Sequence, residues 1–334
     1  MINLANKYRP IEFRDVCSQT NIIKVLERQC ETKQYKNSYL YVGGSGCGKT
    51  TVARIFANKI NEGVGHPIEL DAASNGSVES VRNIIDSANE RSLNSKYKIY
   101  IIDECHMLTT QAWNALLKTI EETPEYTIFI FCTTEYNKVP ETIKNRCQQY
   151  FFSKIPDAEI KTRLKYICDQ EGYVSTDDGL IHITKLAQGS MRQAISYLDK
   201  CKDFSKIISL ENVTAVLGDF NCDTYFELTN AIIDKNKEVL IKIIEKEYNS
   251  GFDLKLFIDL YLNFVMDILK YLTFRSFDVI QIPRSCEQKL LYTINVEGAN
   301  KYFLYILDKL VELKTIIKGD SNMKTTIEVM LLCI

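Results

Sequence analysis

The chain has 334 residues, 46% of them hydrophobic and 25% charged, a balance that excludes a largely disordered protein and predicts two or three domains of about 150 residues. A formal charge of −2 excludes a global positive field, so contact with nucleic acid has to come from local patches or helix ends. The eleven cysteines stand singly, with no C-x-x-C pair, a spacing that argues against a zinc site or disulfide framework and for a reducing compartment.

Met1 to Pro10 lacks the apolar core of a signal peptide, and no stretch reaches about 18 uninterrupted apolar residues, so a cytoplasmic chain without a membrane span is expected. Of 14 glycines only Gly251, Gly298 and Gly319 lie beyond Gly218, and of 6 prolines only Pro283 lies beyond Pro156. Breakers in the first part suit alternating strands and helices, and their scarcity later suits long helices. No internal repeat or low-complexity tract is present.

Ser38–Val42, Ile68–Asp71, Ile99–Ile102 and Thr127–Cys132 are short, near-continuously apolar runs. They are predicted strands of a parallel sheet buried on both faces. Helical patterns lie between them, and the last, Gln111–Glu121, stops before Thr123-Pro124. The alternation predicts a doubly wound α/β domain over residues 1–155. A small helical domain is predicted over 156–217, with Ile160, Leu164 and Ile167 on one face and Leu180, Ile183, Leu186 and Ala187 on another. Ser190-Met191-Arg192-Gln193 has the spacing of a capping box, which puts Arg192 in a helix's first turn.

From about Asp219 the pattern is helical to the end, predicting an all-α domain over 218–334. Leu240, Ile243, Ile244 and Tyr248 form one stripe. Phe257, Leu260, Tyr261, Phe264, Val265 and Ile268 form a second, and Tyr302, Phe303, Ile306, Leu307 and Leu310 a third. Faces this wide suit a bundle core or packing against neighbouring subunits.

Tyr39–Val42 runs into Gly43, Gly44, Ser45, Gly46, Cys47, Gly48, Lys49 and Thr50, followed by the helical pattern opening at Thr51. This is the G-x-x-x-x-G-K-[ST] phosphate loop in its context of strand, loop and helix. Glycines let successive N–H groups curl around phosphate oxygens, and the helix start faces the same anion. Lys49 supplies a charge to the β- and γ-phosphates, and the Thr50 hydroxyl ligates Mg²⁺. The strand Ile99–Ile102 ends in Asp103 and Glu104, whose consecutive side chains diverge. Asp103 is placed to hold Mg²⁺ and Glu104 to orient the attacking water. Cys47 is given no chemistry of its own, although its alkylation is expected to block ATP. Trp113 shares a helix face with Leu116 and Leu117, a position for core or subunit packing.

Asp103-Glu104-Cys105-His106 also matches the D-E-x-H of one helicase superfamily. Those enzymes carry two similar ATPase domains, and nothing after Pro156 resembles a second, so His106 is assigned to a loop or packing role. A different series runs through most of the chain: Lys7-Tyr8-Arg9-Pro10, Phe13-Arg14-Asp15-Val16, the loop at Gly43–Thr50, Glu69–Ser74, Asp103–Leu108, Asn114–Glu122 and Cys132-Thr133-Thr134. In this order the motifs resemble those of the AAA+ clamp-loader ATPases, in particular their bacterial motor subunit. The match covers residues 1 to about 217; the remainder agrees in length and class with the collar domain that pentamerises those subunits.

The resemblance implies an α/β P-loop AAA+ domain with a parallel sheet, a helical lid and an all-α collar, acting as an ATPase on ATP and Mg²⁺. Tyr8, Arg9 and Pro10 would border the adenine, with Val16 nearby. Thr134 would be the sensor 1 hydroxyl, and Arg192, in G-x-x-R, the sensor 2 arginine. Arg146, in Asn145-Arg146-Cys147, corresponds to the arginine of an S-R-C motif that acts in the neighbouring subunit's site; the serine is replaced here. Ser77, Arg82, Thr110 and Gln111 are candidate DNA contacts, as is Lys118, where the family has a basic residue coupling DNA to ATP. Each also suits an ordinary cap or solvated charge.

The implied partners are other clamp-loader subunits in a pentameric ring, homo- or hetero-oligomeric, a sliding clamp and primer–template DNA. Ala88–Asn94 is the candidate segment for clamp contact. The four zinc cysteines usual in the bacterial subunit are missing from Ile60–Ile68, so no zinc is expected. The long form's polymerase- and helicase-binding extension is also expected to be absent, as in a phage-type system acting in a host cytoplasm. Two other functions share parts of this pattern. A branch-migration motor would carry a C-terminal winged helix, which the last third does not resemble. A non-hydrolysing structural arm would lose the phosphate-loop lysine, and Lys49 is present.

Overall fold

A computed structural model describes residues 3–92, 94–217, 222–280, 282, 284–317, 319–320 and 322–334. The chain folds as two compact units, Met1–Val216 and Leu217–Ile334. The expected boundary at 155/156 lies inside the first unit, whereas residue 218, the expected collar start, lies outside the described residues, as does Leu93 of the Ala88–Asn94 segment.

The first unit is built on five parallel strands, β1 Ser38–Gly43, β2 Ile68–Asp71, β3 Lys98–Asp103, β4 Thr127–Thr133 and β5 Gln148–Phe152, in the order β2-β3-β4-β1-β5. Alternation along β1 sends Tyr39 and Tyr41 to one face and Leu40 and Val42 to the other. Phe56, Ile101, Ile130 and Leu26 fill the first face; Tyr100, Phe129, Phe131 and Leu116 fill the second. Trp113 is 3% exposed and packs on Phe131 with ring centroids 5.5 Å apart, so it is a core residue.

The sheet departs from the sequence reading at both edges. Among the described residues the strand β2 pairs only with β3, and Ile68 is 42% exposed, so its apolar residues are not buried on both faces. The strand β5, Gln-Gln-Tyr-Phe-Phe, was not anticipated. It pairs with β1 (Val42 opposite Phe151) and leaves Phe151 60% exposed. Both are edge strands, and an edge leaves one flank unpaired and less covered.

Around the sheet stand α1 Thr20–Thr32, α2 Lys49–Ile60, α3 Val78–Ala88 and α4 Thr110–Glu121. The Ser77 hydroxyl caps α3 by accepting from the Ser80 N–H, and the Thr109 hydroxyl caps α4 by accepting from that of Ala112. Three further helices follow in the same unit: α5 Asp157–Glu171, α6 Asp177–Ala187 and α7 Met191–Phe204. They bury the predicted stripes Ile160/Leu164/Ile167 and Leu180/Ile183/Leu186/Ala187. The Ser190 hydroxyl accepts from the Gln193 N–H at 3.3 Å, but the Ser190 N–H donates to the Ala187 carbonyl, so only half of the capping box forms. A two-residue parallel pairing of Val174–Ser175 with Ile207–Ile208 was not foreseen.

In the second unit α8 Cys222–Ile233, α9 Lys237–Asn249, α10 Leu254–Phe274, α11 Ala299–Ile316 and α12 Met323–Leu332 form a helical bundle. Tyr225, Phe226, Phe257, Tyr261 and Phe264 make its aromatic centre. Most of the predicted stripe residues are buried; Tyr302 and Leu307 are half-buried, and Tyr248 is 52% exposed at the end of α9. Among the described residues no helix is long and apolar enough to cross a membrane, and no disulfide occurs.

Candidate active site

In open parallel sheets, ligands bind outside the carboxyl ends of the strands. The first unit carries a cleft of about 530 Å³ there. It is lined by Ser45, Gly46, Cys47, Gly48, Lys49, Thr50 and Thr51 from the loop and helix after β1, Asp103 and Glu104 from the end of β3, and Tyr8, Arg9, Pro10 and Val16 from the N-terminal segment. Arg192, in the first turn of α7, lines it from the far side. Gly43 and Gly44 stand behind the loop, where their carbonyls accept from Lys49 Nζ at 2.9 Å each.

The loop needs its glycines. Gly46 and Gly48 have φ of +72° and +105°, a region most side chains avoid. A Cβ on Gly46 would also strike the Ser190 hydroxyl and stand 3.1 Å from Arg192 Cβ. The Met191 N–H donates to the Gly46 carbonyl at 3.1 Å, joining the loop to the start of α7. Thr50 Oγ1 donates to Asp103 Oδ2 at 2.7 Å, and the Glu104 N–H donates to Asp103 Oδ1 at 3.0 Å. These groups fit a magnesium–polyphosphate: N–H groups and a buried ammonium for phosphate, with a hydroxyl and a carboxylate within reach of one cation.

Charge in the cleft points the same way. Burial lowers the pKa of Arg9, and repulsion from Arg54 and Arg192 lowers it further. Arg9, Lys49 and Arg192 line the same cleft, and cationic groups gathered like this favour a polyanion among them. Burial raises the pKa of Cys47 against the opposing pull of Lys49, and the residue is 2% exposed. Tyr8 turns its hydroxyl to Glu171 at the end of α5 while Arg163 donates to its carbonyl at 3.0 Å. Burial, followed by that hydrogen bond, pushes the Tyr8 phenol up to about 12.

Glu104 adopts a left-handed backbone, φ +46°, uncommon for a non-glycine residue and a local cost of about 1–3 kcal/mol. Its Oε2 accepts from Thr134 Oγ1 at 3.1 Å and lies 3.4 Å from His106 Nδ1. Thr134 is absent from the cleft lining and reaches it through Glu104. Arg146 is also absent: its guanidinium pairs with Glu121 at 2.5 Å and donates to the Thr142 carbonyl. Ser77, Arg82, Thr110, Gln111 and Lys118 are exposed on α4, on α3 or at their starts, away from the cleft lining. The Thr109 N–H donates to the Gly76 carbonyl, setting the two helix starts side by side.

Two residues near the site escaped the sequence reading. Gln19 is buried, with φ +61°; its amide donates to the Ser153 carbonyl at 2.7 Å and reaches the Cys47 carbonyl at 3.5 Å. It ties the phosphate loop to the end of β5. Arg163 lines the cleft from α5. No local pattern marks either residue, because their partners are distant in sequence.

Comparison with known proteins adds three findings. The family described as DNA polymerase III, delta subunit, matches residues 66–156. The gamma/tau subunit of DNA polymerase III from Mycoplasma genitalium is 32% identical over 89% of this chain and 53% of its own length, and the tau subunit from Bacillus subtilis is 35% identical over 80% and 51%. The chain therefore spans about half the length of these two relatives. The gamma subunit from Buchnera aphidicola subsp. Schizaphis graminum is 32% identical over 75% of each chain. Among solved structures, the Thermotoga maritima RuvB Holliday junction branch migration motor aligns with a TM-score of 0.55 at 19% identity, over 78% of this chain and 90% of that one. At that identity the likeness shows the fold, an AAA+ fold, and nothing of function.

Proposed function

The chain belongs to the DNA polymerase III gamma/tau family, and from that membership we propose that it is an ATPase motor subunit of a sliding-clamp loader, opening the processivity clamp and loading it onto primer–template DNA. One observation carries the reading: Lys49, the Thr50–Asp103 pair, Glu104 and Arg192 converge on a single cleft. Lys49 neutralises charge on the β- and γ-phosphates. Bound Mg²⁺, held by Thr50 and Asp103, supplies further charge stabilisation to those phosphates. Glu104 orients the attacking water, Thr134 steadies Glu104, and Arg192 closes on the nucleotide from α7. Tyr8, Arg9, Pro10 and Val16 border the adenine.

Arg146 stands outside its own cleft, which supports a role in a neighbouring subunit's site. An arginine supplied in trans is typically worth about 10³–10⁵ in rate, so hydrolysis depends on assembly into a ring with other clamp-loader subunits. The second unit serves as the collar of that ring. DNA contact falls on the adjacent starts of α3 and α4, at Ser77, Thr110 and Gln111, with Arg82 and Lys118 nearby. A chain of net charge −2 relies on several subunits each adding a few phosphate contacts. ATP and Mg²⁺ are the proposed ligands, and zinc is not among them.

The test is steady-state ATPase with the cognate clamp and partner subunits. Clamp plus primer–template DNA should stimulate turnover, and no stimulation would refute the reading. Rings mixed with Arg146→Ala protomers should bind ATP everywhere and lose hydrolysis in the adjacent sites.

A further inference from the structure

We propose that His106 is a positioning residue for ATP hydrolysis: its imidazole fixes the Glu104 carboxylate so that one oxygen is held and the other is left for the attacking water. The inference rests on the reading of Glu104 as the water-orienting group.

His106 lies in the single helical turn Cys105–Met107, just beyond β3. Its side chain is 8% exposed, yet its ring nitrogens face polar groups. Nδ1 is 3.1 Å from Thr133 Oγ1 and 3.4 Å from Glu104 Oε2, and Nε2 is 3.5 Å from Glu135 Oε1. A packing histidine would turn its ring edges to apolar neighbours or to a backbone carbonyl. This ring hydrogen-bonds the Thr133 hydroxyl and stands within ion-pair distance of two carboxylates carried at the ends of two adjacent strands.

The bridge is anchored at its far end. Glu135 takes Lys138 Nζ at 3.0 Å, and its own N–H donates to Thr133 Oγ1 at 3.0 Å. Thr133 is fully buried at the end of β4. A chain therefore runs Lys138–Glu135–His106–Glu104–Thr134, so rotating Glu104 means giving up its contacts with both His106 and Thr134. Both contacts on Glu104 fall on Oε2. Oε1 has no hydrogen-bond partner among the described residues, and Glu104 lines the cleft. The residue that carries this carboxylate holds a left-handed backbone, a local cost that the surrounding contacts have to sustain. A reacting group misplaced by about 1 Å can lose about a hundredfold in rate, so an orienting contact of this kind acts on turnover rather than on substrate binding.

The imidazole supplies its own controls. The amide nitrogen of Asn stands near Nδ1, the atom facing Glu104, whereas that of Gln stands near Nε2. We would measure kcat and KM for ATP, fluorescent-nucleotide affinity and thermal stability for Glu104→Gln and for His106→Ala, His106→Asn and His106→Gln, in the assembled complex. Glu104→Gln should bind ATP and stop turnover. His106→Ala should lose about ten- to a hundredfold in kcat with KM within about twofold; His106→Asn should recover most of that loss and His106→Gln should not. Full turnover in His106→Ala beside a dead Glu104→Gln would overturn the proposal and leave the Glu104 reading standing. An active Glu104→Gln would remove that reading and the proposal with it. Equal losses in the Asn and Gln variants, following a fall in stability, would assign His106 a structural role and overturn the proposal.

Discussion

Thr50 and Asp103 meet at 2.7 Å although the strands leading to them are not neighbours: β4 lies between β1 and β3. The hydroxyl comes from the first turn of α2 and the carboxylate from the end of β3, so the sheet and the phosphate loop together set their separation.

Asp103→Asn should therefore bind ATP in EDTA as the parent does and lose the gain in affinity that Mg²⁺ brings. Titrating a fluorescent ATP analogue with and without magnesium measures it. An unchanged magnesium effect would show that the pair does not hold the cation.

Gly46→Ala places a methyl group against Ser190 at a backbone angle of +72°. The strain should cost about 1–3 kcal/mol of stability and should weaken nucleotide binding. Denaturant unfolding and nucleotide titration read the two effects, and a variant with unaltered stability would contradict the close approach of loop and helix.

Cys47 should resist alkylation at neutral pH despite its place in the loop. It is 2% exposed, and burial keeps its thiol protonated, while the thiolate is the reactive form. The expectation that alkylation blocks ATP therefore meets a site the reagent does not reach in the folded chain. Maleimide labelling followed by peptide mass mapping should find exposed Cys333 modified first; early labelling at Cys47 would count against the buried geometry.

Tyr8, Tyr35 and Tyr150 all have phenols pushed from 10 to about 12, chiefly by burial. A pKa raised in the folded state means the unfolded chain gives up those protons first. Stability should hold below pH 10 and fall between pH 10 and about 12. Thermal melts of the chain across that range, with tyrosinate absorbance recorded alongside, test the sign; a melting temperature that stays level would refute it.

The chemistry-bearing parts of the site were legible because each is a short run with one use: Gly43–Thr50, the Asp103-Glu104 pair and the helix start at Ser190. Three of the predicted strands are buried on both faces, and their apolar runs said so. What stayed hidden depends on neighbours distant in sequence. Gln148-Gln149 gives β5 a polar beginning, so no apolar run announces it. The exposure of β2 follows from its place at the edge, which strand order decides and composition does not. Gln19 and Ser153 are 134 positions apart and His106 and Thr133 are 27 apart. Tyr248 shares the helical spacing of buried residues yet stands at a helix end, where that face meets solvent.

The bond from the Met191 N–H to the Gly46 carbonyl makes the apex of the phosphate loop and the first turn of α7 a single mechanical joint. Arg192 is the next residue along the fourteen-residue α7 and lines the same cleft as the loop, so that bond pins the spacing between the loop backbone and the arginine.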